Sequence, residues 1–406
     1  MTVHDAITRA HREEWARVVA VLARRFGDLD IAEEAAAEAF ATAVERWPAD
    51  GVPPNPGAWL TTTAHRKAID RIRRESRREA KQQEAGMWQE DPPESVGAVE
   101  DGRLRLVFVC CHPALASDAR VALTLRMVGG LTVAEIARAF LVQEGAMARR
   151  ITRAKTKIKA ARIPYRVPAA EDLPARVAGV LTVLFLVFNE GYLATGPDTD
   201  PVRQDLTAEA IRLTRLLREL LPQDGEVAGL LALMLLTEAR RSARVSPGGE
   251  LVALDEQDRT AWDAGLITEG HRLVRERLGS GQAPGRYQLL AAINAVHTSA
   301  RDFRDTDWSQ VVALYDQLVC LDRSPVVALN RAIALGELDG PAVALASVDR
   351  LAQPLDGYHA FHAARAELLR RLGRTAESQA AYDRAIDLAG NAAETAALTR
   401  RRKQLP

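Results

Sequence analysis

Between Leu115 and Arg162 the chain carries a pattern that few folds accommodate. Ser117-Asp118 is a predicted N-cap for a helix over Ala119–Met127, since short polar side chains accept from the first free N–H groups. Gly129-Gly130 then ends that helix. Thr132-Val-Ala-Glu135 reads as a capping box opening a short helix over Val133–Phe140. A turn at Leu141–Gly145 leads into a longer helix from Gly145 to about Arg162, carrying Arg149, Arg150, Arg153, Lys155, Lys157, Lys159 and Arg162. Two short helices, a tight turn and a basic second helix predict a helix-turn-helix with Ile136, Met147 and Ile151 at its core. Arg149, Arg150 and Arg153 then stand where side chains reach bases or phosphates. A basic, solvated helix in an ordinary bundle would carry the same charges.

The rest of the chain also reads as helix. Strand-like alternation is scarce, and Ala, Leu, Arg and Glu dominate between clusters of Gly and Pro. A length of 406 residues calls for two or three domains. The chain has 54 basic and 54 acidic side chains, but they are unevenly placed. Residues 1–166 hold 27 basic and 22 acidic groups, leaving 27 and 32 for residues 167–406. A basic front ahead of an acidic back suggests two jobs. Three cysteines exclude a disulfide scaffold and fit a reducing cytoplasm. The first residues lack the apolar core of a secretory leader. The most apolar run, Val177–Phe188, has 12 residues against the roughly 20 of a membrane span, so a buried helix is expected.

A second basic segment runs from Trp59 to Lys81. Ala64, Ala68 and Ile72 give it an apolar stripe, and Arg66, Lys67, Arg71, Arg73, Arg74, Arg77 and Arg78 occupy the other faces. Trp47 and Trp59 flank the Pro-rich loop before it; each can stack on an unpaired base or simply fill a core. Upstream, Asp30, Glu33, Glu34 and Glu38 give an amphipathic helix an acidic face. Residues 81–103 are polar and Pro-containing, a predicted flexible linker.

Two basic helical modules joined by a polar linker, in this order, resemble the bacterial sigma-70 family of the extracytoplasmic-function (ECF) type, over about residues 8–163. Asp30–Phe40 is similar to the family's helix that docks on core RNA polymerase, which implies docking roles for Asp30, Glu33, Glu34, Glu38 and Phe40. Ala58–Arg74 resembles the helix at the −10 promoter element, implying contacts by Trp47, Trp59, His65, Arg66, Lys67, Arg71, Arg73 and Arg74. Gly130–Phe140 with Ala146–Lys155 resembles the −35 helix-turn-helix, implying contacts by Thr132, Arg149, Arg150, Arg153, Lys155 and Lys157. Arg66 stands where the family usually has Asn, and Leu141 where Gly is common in the turn.

The resemblance implies an all-α fold with a polymerase and −10 domain over 1–80, a linker over 81–103 and a −35 domain over 104–166. Residues 167–406 are expected to form a helical, tetratricopeptide-like tail. The resemblance further implies a cytoplasmic transcription initiation factor, partnered by core RNA polymerase and promoter DNA, without enzymatic activity, cofactor or metal.

The tail supplies its own pattern. Leu372-Gly373 and Ala385, after an earlier Leu335-Gly336, follow tetratricopeptide spacing, with helices expected over Trp308–Leu321, Tyr358–Leu372 and Thr375–Leu388. Such stacks bind proteins or peptides in concave grooves, or pack on their own chain. Asn189–Tyr192 and Leu254–Arg259 with Trp262 are candidate contact points. The adjacent Cys110, Cys111 and His112 diverge on a helix end, so packing is expected there rather than a metal. No catalytic loop motif is present. Two other classes are compatible with parts of the chain: a one-component regulator with a sensing tail, and a repeat scaffold. The first leaves the Trp59–Lys81 and Asp30–Phe40 segments without a role.

Overall fold

The computed structural model describes residues 3–79, 97–140, 142–192, 203–246, 251–279, 281–390 and 392–405. These are helical, with no strand among the described residues beyond one isolated bridge, Val245 to Leu251. The chain divides into two compact units, Met1–Leu186 and Val187–Pro406.

The first unit opens with α1 (Val3–Phe26), α2 (Leu29–Asp50) and α3 (Pro56–Glu79), which pack on one another. Asp28 starts α2 by accepting from the N–H groups of Asp30 and Ile31 at 2.8 and 3.2 Å. Asn55 does the same for Ala58 at 3.0 Å. Ala32, Ala35, Ala36, Ala39 and Ala43 are all buried, so α2 lies close to its neighbours, as small side chains at a helix contact permit. Residues 80–96, most of the expected linker, lie outside the described residues; 97–103 begin α4 (Gly97–Cys110).

The expected helix-turn-helix follows as α5 (Ser117–Met127), α6 (Val133–Ala139) and α7 (Glu144–Ala160). The Thr132–Glu135 capping box is formed: Glu135 accepts from the Thr132 N–H at 2.7 Å, and Thr132 Oγ1 accepts from the Glu135 N–H at 3.2 Å. Ile136, Met147 and Ile151 are buried. Ala116, not Ser117, is the N-cap of α5 and supplies no side-chain bond. Gly130 has φ 76°, and a Cβ there would meet His11 at 2.8 Å and Trp15 at 3.0 Å. Glycine is therefore needed both for the turn and for its seat on α1.

Next comes α8 (Leu173–Tyr192), which contains the apolar run but is longer than it. At 20 residues it is long and apolar enough to cross a membrane by length and composition, so the length of the run no longer excludes a span. Its buried apolar residues, Val177, Val180, Leu181, Val183, Leu184, Val187 and Phe188, recur mostly three and four apart, while Thr182 and Leu186 are exposed, as in a helix packed along one side. The two units meet inside α8, later than the Pro-rich boundary near residue 166. The reason lies in Arg176, whose Nη2 donates to the Phe108 carbonyl at 2.6 Å and ties the first turns of α8 to α4.

The second unit continues with α9 (Gln204–Leu220), α10 (Gly225–Glu238), α11 (Arg241–Arg244), α12 (Ala264–Leu278), α13 (Arg286–Ser299), α14 (Trp308–Leu321), α15 (Pro325–Leu338) and α16 (Pro341–Asp349). It ends with α17 (Ala352–Leu355), α18 (His359–Arg371), α19 (Thr375–Asp387) and α20 (Ala392–Lys403). Every residue from Val227 to Glu238 is buried, so α10 is the axis, packed by α9, α12 and α13. Gly229 lets α13 approach: a Cβ would meet the Gln288 nitrogen at 2.6 Å. From α13 on, sequential helices stack around two apolar clusters, one on Val311 and Leu318, the other on Leu345, Phe361 and Tyr382. The expected helix pair around Leu372-Gly373 is α18 and α19, with Ala385 buried between them.

Candidate nucleic-acid interface

Of the acidic face expected on α2, Glu33 is turned inward, whereas Asp30, Glu34 and Glu38 stay about half exposed while paired within the chain. Glu33 Oε1 accepts from Arg126 Nε at 2.5 Å, and its Oε2 accepts from Lys155 Nζ at 2.7 Å. Lys155 also donates to Asp30 Oδ1 at 2.5 Å. The Lys155 and Glu33 side chains retain 10% and 11% exposure, so neither is open to a partner in this state. Burial alone would raise the Glu33 carboxyl, but Lys155 and Arg126 outweigh it and hold it below the ordinary value of 4.5. Burial would likewise lower Lys155, yet Glu33 and Asp30 raise it. The remaining acids face α3: Glu34 pairs with Arg71, and Glu38 lies 3.7 Å from Lys67. All four carboxylates of the expected docking face are thus engaged within the chain.

Phe40 is buried as well. Its ring centroid lies 4.9 Å from that of His11 and 5.8 Å from that of Trp15. Trp15 Nε1 donates to the Met127 carbonyl at 3.2 Å, and Tyr165 Oη donates to the Ala20 and Gly102 carbonyls at 3.2 and 3.0 Å. Together with Asp28, which accepts from Lys159 at 2.9 Å, these bonds seat α4–α7 on α1 and α2.

The basic helix α7 consequently has two faces. Arg149, Arg153 and Lys157 are exposed. Arg150 pairs with Asp118 at 3.2 Å. Lys155 and Lys159 are turned to α2, away from any DNA laid against Arg149 and Arg153. Thr132 is exposed, but its hydroxyl donates to Glu135 at 2.7 Å as part of the cap.

On α3, Arg66, Arg73 and Arg74 are exposed, whereas Lys67 and Arg71 are partly occupied by α2. His65 stacks on Phe26 at 5.7 Å. Trp47 is 1% exposed and therefore a core residue, not a surface for stacking a base. Its ring meets Trp59 edge-on at 5.6 Å, and Trp59, half-buried, is the aromatic left at the surface.

Cys110 and Cys111 are buried, and burial raises both thiols, Cys111 to about 11. Cys111 Sγ lies 3.3 Å from Thr124 Oγ1, and His112 Nδ1 accepts from the Ala114 N–H at 3.1 Å. Among the described residues no group of three or more His, Cys, Asp and Glu side chains is placed to hold a metal ion. The sequence did not reveal the role of Arg126. It sits 93 positions from Glu33 and nothing in its neighbourhood distinguishes it from any helical arginine.

Sigma-70 region 2 matches residues 11–78, and sigma-70 region 4 matches residues 105–158. A family of unknown function, DUF6596, matches residues 176–278. An uncharacterized protein of Rhizobium meliloti is 45% identical over 388 residues, covering 94% of this chain and 91% of that one. The Probable ECF RNA polymerase sigma factor SigI of Mycobacterium tuberculosis is 29% identical over 42% of this chain and 60% of its own length. The ECF RNA polymerase sigma factor SigK of Mycobacterium ulcerans is 31% identical over 33% of this chain and 73% of its own length. No solved structure matches. With both sigma regions in order ahead of a helical extension, the chain belongs to the ECF type of the sigma-70 family of RNA polymerase sigma factors.

Proposed function

We propose that this sigma factor binds core RNA polymerase through its first three helices and directs it to promoters read by α3 at the −10 element and α7 at the −35 element. The observation that carries this reading is the exposed row Arg149, Arg153 and Lys157 on the second helix of a capped helix-turn-helix. Charges spaced like these neutralise phosphates and present guanidinium groups to guanine edges in a major groove. On α3, Arg66, Arg73 and Arg74 with Trp59 offer charge and one aromatic face to an opened strand.

Docking through the acidic face of α2 requires a rearrangement. Glu33 becomes fully available to a basic polymerase surface only when Lys155 and Arg126 let go, a step that also releases Asp30 from Lys155. The free chain is thus held closed by the charges it uses when bound. The C-terminal helices regulate this exchange or support the fold of the front unit.

The test is run-off transcription with purified core polymerase and the full-length protein on selected promoter fragments. Promoter-specific transcripts that require the protein are expected. Binding to promoter DNA with no association with core polymerase would overturn the reading. Repeating the assay without residues 167–406 then asks what the extension contributes.

A further inference from the structure

Four side chains of the second unit each leave one buried nitrogen unbonded within the chain. Arg240 follows α10, and its Nε is buried without a partner. Arg259 reaches the end of α13, where its Nη1 donates to the carbonyls of His297 and Ala300 at 2.6 and 2.8 Å, while its Nη2 is buried and unpartnered. The Arg259 guanidinium lies 4.8 Å from the ring centroid of Trp262, whose Nε1 is also buried without a partner. The chain around Trp262 is fastened beside Arg240: the Asp263 N–H donates to the Ala239 carbonyl at 2.9 Å. His297 completes the group. Its ring packs edge-on against Trp308 at 5.3 Å, and its Nδ1 is buried and unbonded.

The electrostatics point the same way. Burial, then Arg240 and Arg259, push the His297 imidazole down to about 4, so it is neutral near pH 7 and both guanidinium groups are felt at its ring. The neighbouring Arg244 is satisfied elsewhere: it lies over the Tyr192 ring and donates to the Tyr192 carbonyl. Arg241 pairs with Glu238 at 3.4 Å. Asp302 and Asp305 act on Arg259 at longer range. Among the described residues no carboxylate stands within ion-pair distance of Arg240 or Arg259. Protein interiors rarely leave several nitrogens unbonded in one place, and the carboxylates of Asp302 and Asp305 act on Arg259 without forming an ion pair with it.

We propose that Arg240, Arg259, Trp262 and His297 form a binding site for a small dianionic oxyanion, a phosphate group either free or carried by a small molecule. Two guanidinium groups match the charge of a phosphate, and their forked donors suit its oxygens. The Trp262 and His297 ring nitrogens supply neutral donors beside them. Arg259 would couple occupancy to the end of α13, which it already holds through two carbonyls.

The test is calorimetric titration of the full-length protein with inorganic phosphate, and in a second arm with glycerol phosphate. Both are run against chloride at matched ionic strength. Saturable phosphate binding and a raised melting temperature are expected. Tighter binding of the ester would identify a phosphorylated small molecule as the ligand, and equal or weaker binding would identify free phosphate. Arg240→Gln should weaken binding at least tenfold. Because no carboxylate among the described residues pairs with Arg240, the same substitution should leave the ligand-free melting temperature unchanged or higher. Phosphate that binds no better than chloride overturns the proposal. So does unchanged affinity in the Arg240→Gln protein, or a lowered ligand-free melting temperature, which would give Arg240 a structural role.

Discussion

The helix α10 is buried on every side and α2 along one side, and the two are covered by different means. Around α10 the covering is apolar: Leu230, Leu231, Met234, Leu235 and Leu236 face neighbours on every side. α2 buries alanines with Phe40 and Trp47, and adds to them the ion pairs of Asp28, Asp30 and Glu33 with Lys159, Lys155 and Arg126. Apolar burial has no alternative partner in water, so the axis of the second unit has no reason to open. An ion pair can be exchanged for another ion pair. The seat of α4–α7 on α1 and α2 therefore combines apolar and neutral contacts with ion pairs, and only the ion pairs are open to competition by another charge.

The largest expected effect falls on the apolar side of this contrast. Leu235→Ala removes a fully buried side chain from α10 and should cost about 2–5 kcal/mol in denaturant unfolding of the second unit. DNA binding by the front unit should be spared. A cost below about 1 kcal/mol would mean that the axis repacks freely and would break the comparison.

Next comes the exposed face of α7. Replacing Arg149 and Arg153 by alanine should weaken promoter binding by about 1–3 kcal/mol for each base that is no longer bonded, in a gel-shift titration. Neither arginine takes part in closing the front unit, so thermal stability should not change. A drop in melting temperature would show that this face, too, is engaged internally.

Lys155→Gln sharpens the comparison from the other face. It leaves Glu33 to Arg126 alone and should weaken the closed arrangement by about 1 kcal/mol, less than removal of a sole partner would. Association with core polymerase, followed by stopped flow, should quicken by about fivefold or less. An unchanged rate would show that opening does not limit docking. Lys159→Gln should do far less, because the Lys159 side chain is 77% exposed and its pair with Asp28 is screened by solvent.

The smallest effect at neutral pH concerns protons. Glu33 is held below its ordinary value of 4.5, so the folded state binds its proton less readily than the unfolded chain. Its contribution is complete above that ordinary value and disappears as pH falls through the depressed one. The closed front unit should therefore tolerate roughly pH 5–8 and loosen only in stronger acid, as read by hydrogen exchange at the Trp15 indole. Loosening anywhere within that neutral window would assign the closure to other groups.

Much of the molecule was legible in its sequence. Local signals fix local structure: the Thr132–Glu135 box, the Gly129-Gly130 stop and the spacing of Ile136, Met147 and Ile151 each depend on neighbours within a turn or two. The order of the two basic modules and the helix pair at Leu372-Gly373 are likewise properties of short windows. The direction each charged side chain takes is not. Asp30 and Glu33 look like a solvated acidic face until Lys155, 125 and 122 positions further on, is brought to them. Trp47 is open to two readings, a stacking face or a core side chain, until α1–α3 close around it and make it core. Leu254–Arg259 and Trp262 stand out as a candidate contact, but their partners Arg240 and His297 come from separate parts of the chain and carry no shared motif. Periodicity and capping are encoded in adjacent residues and survive without the rest of the chain. Charge pairing across a fold depends on distances that exist only once the helices have packed, and the tertiary structure alone decided which charges were paired within the chain and which were left to meet a partner.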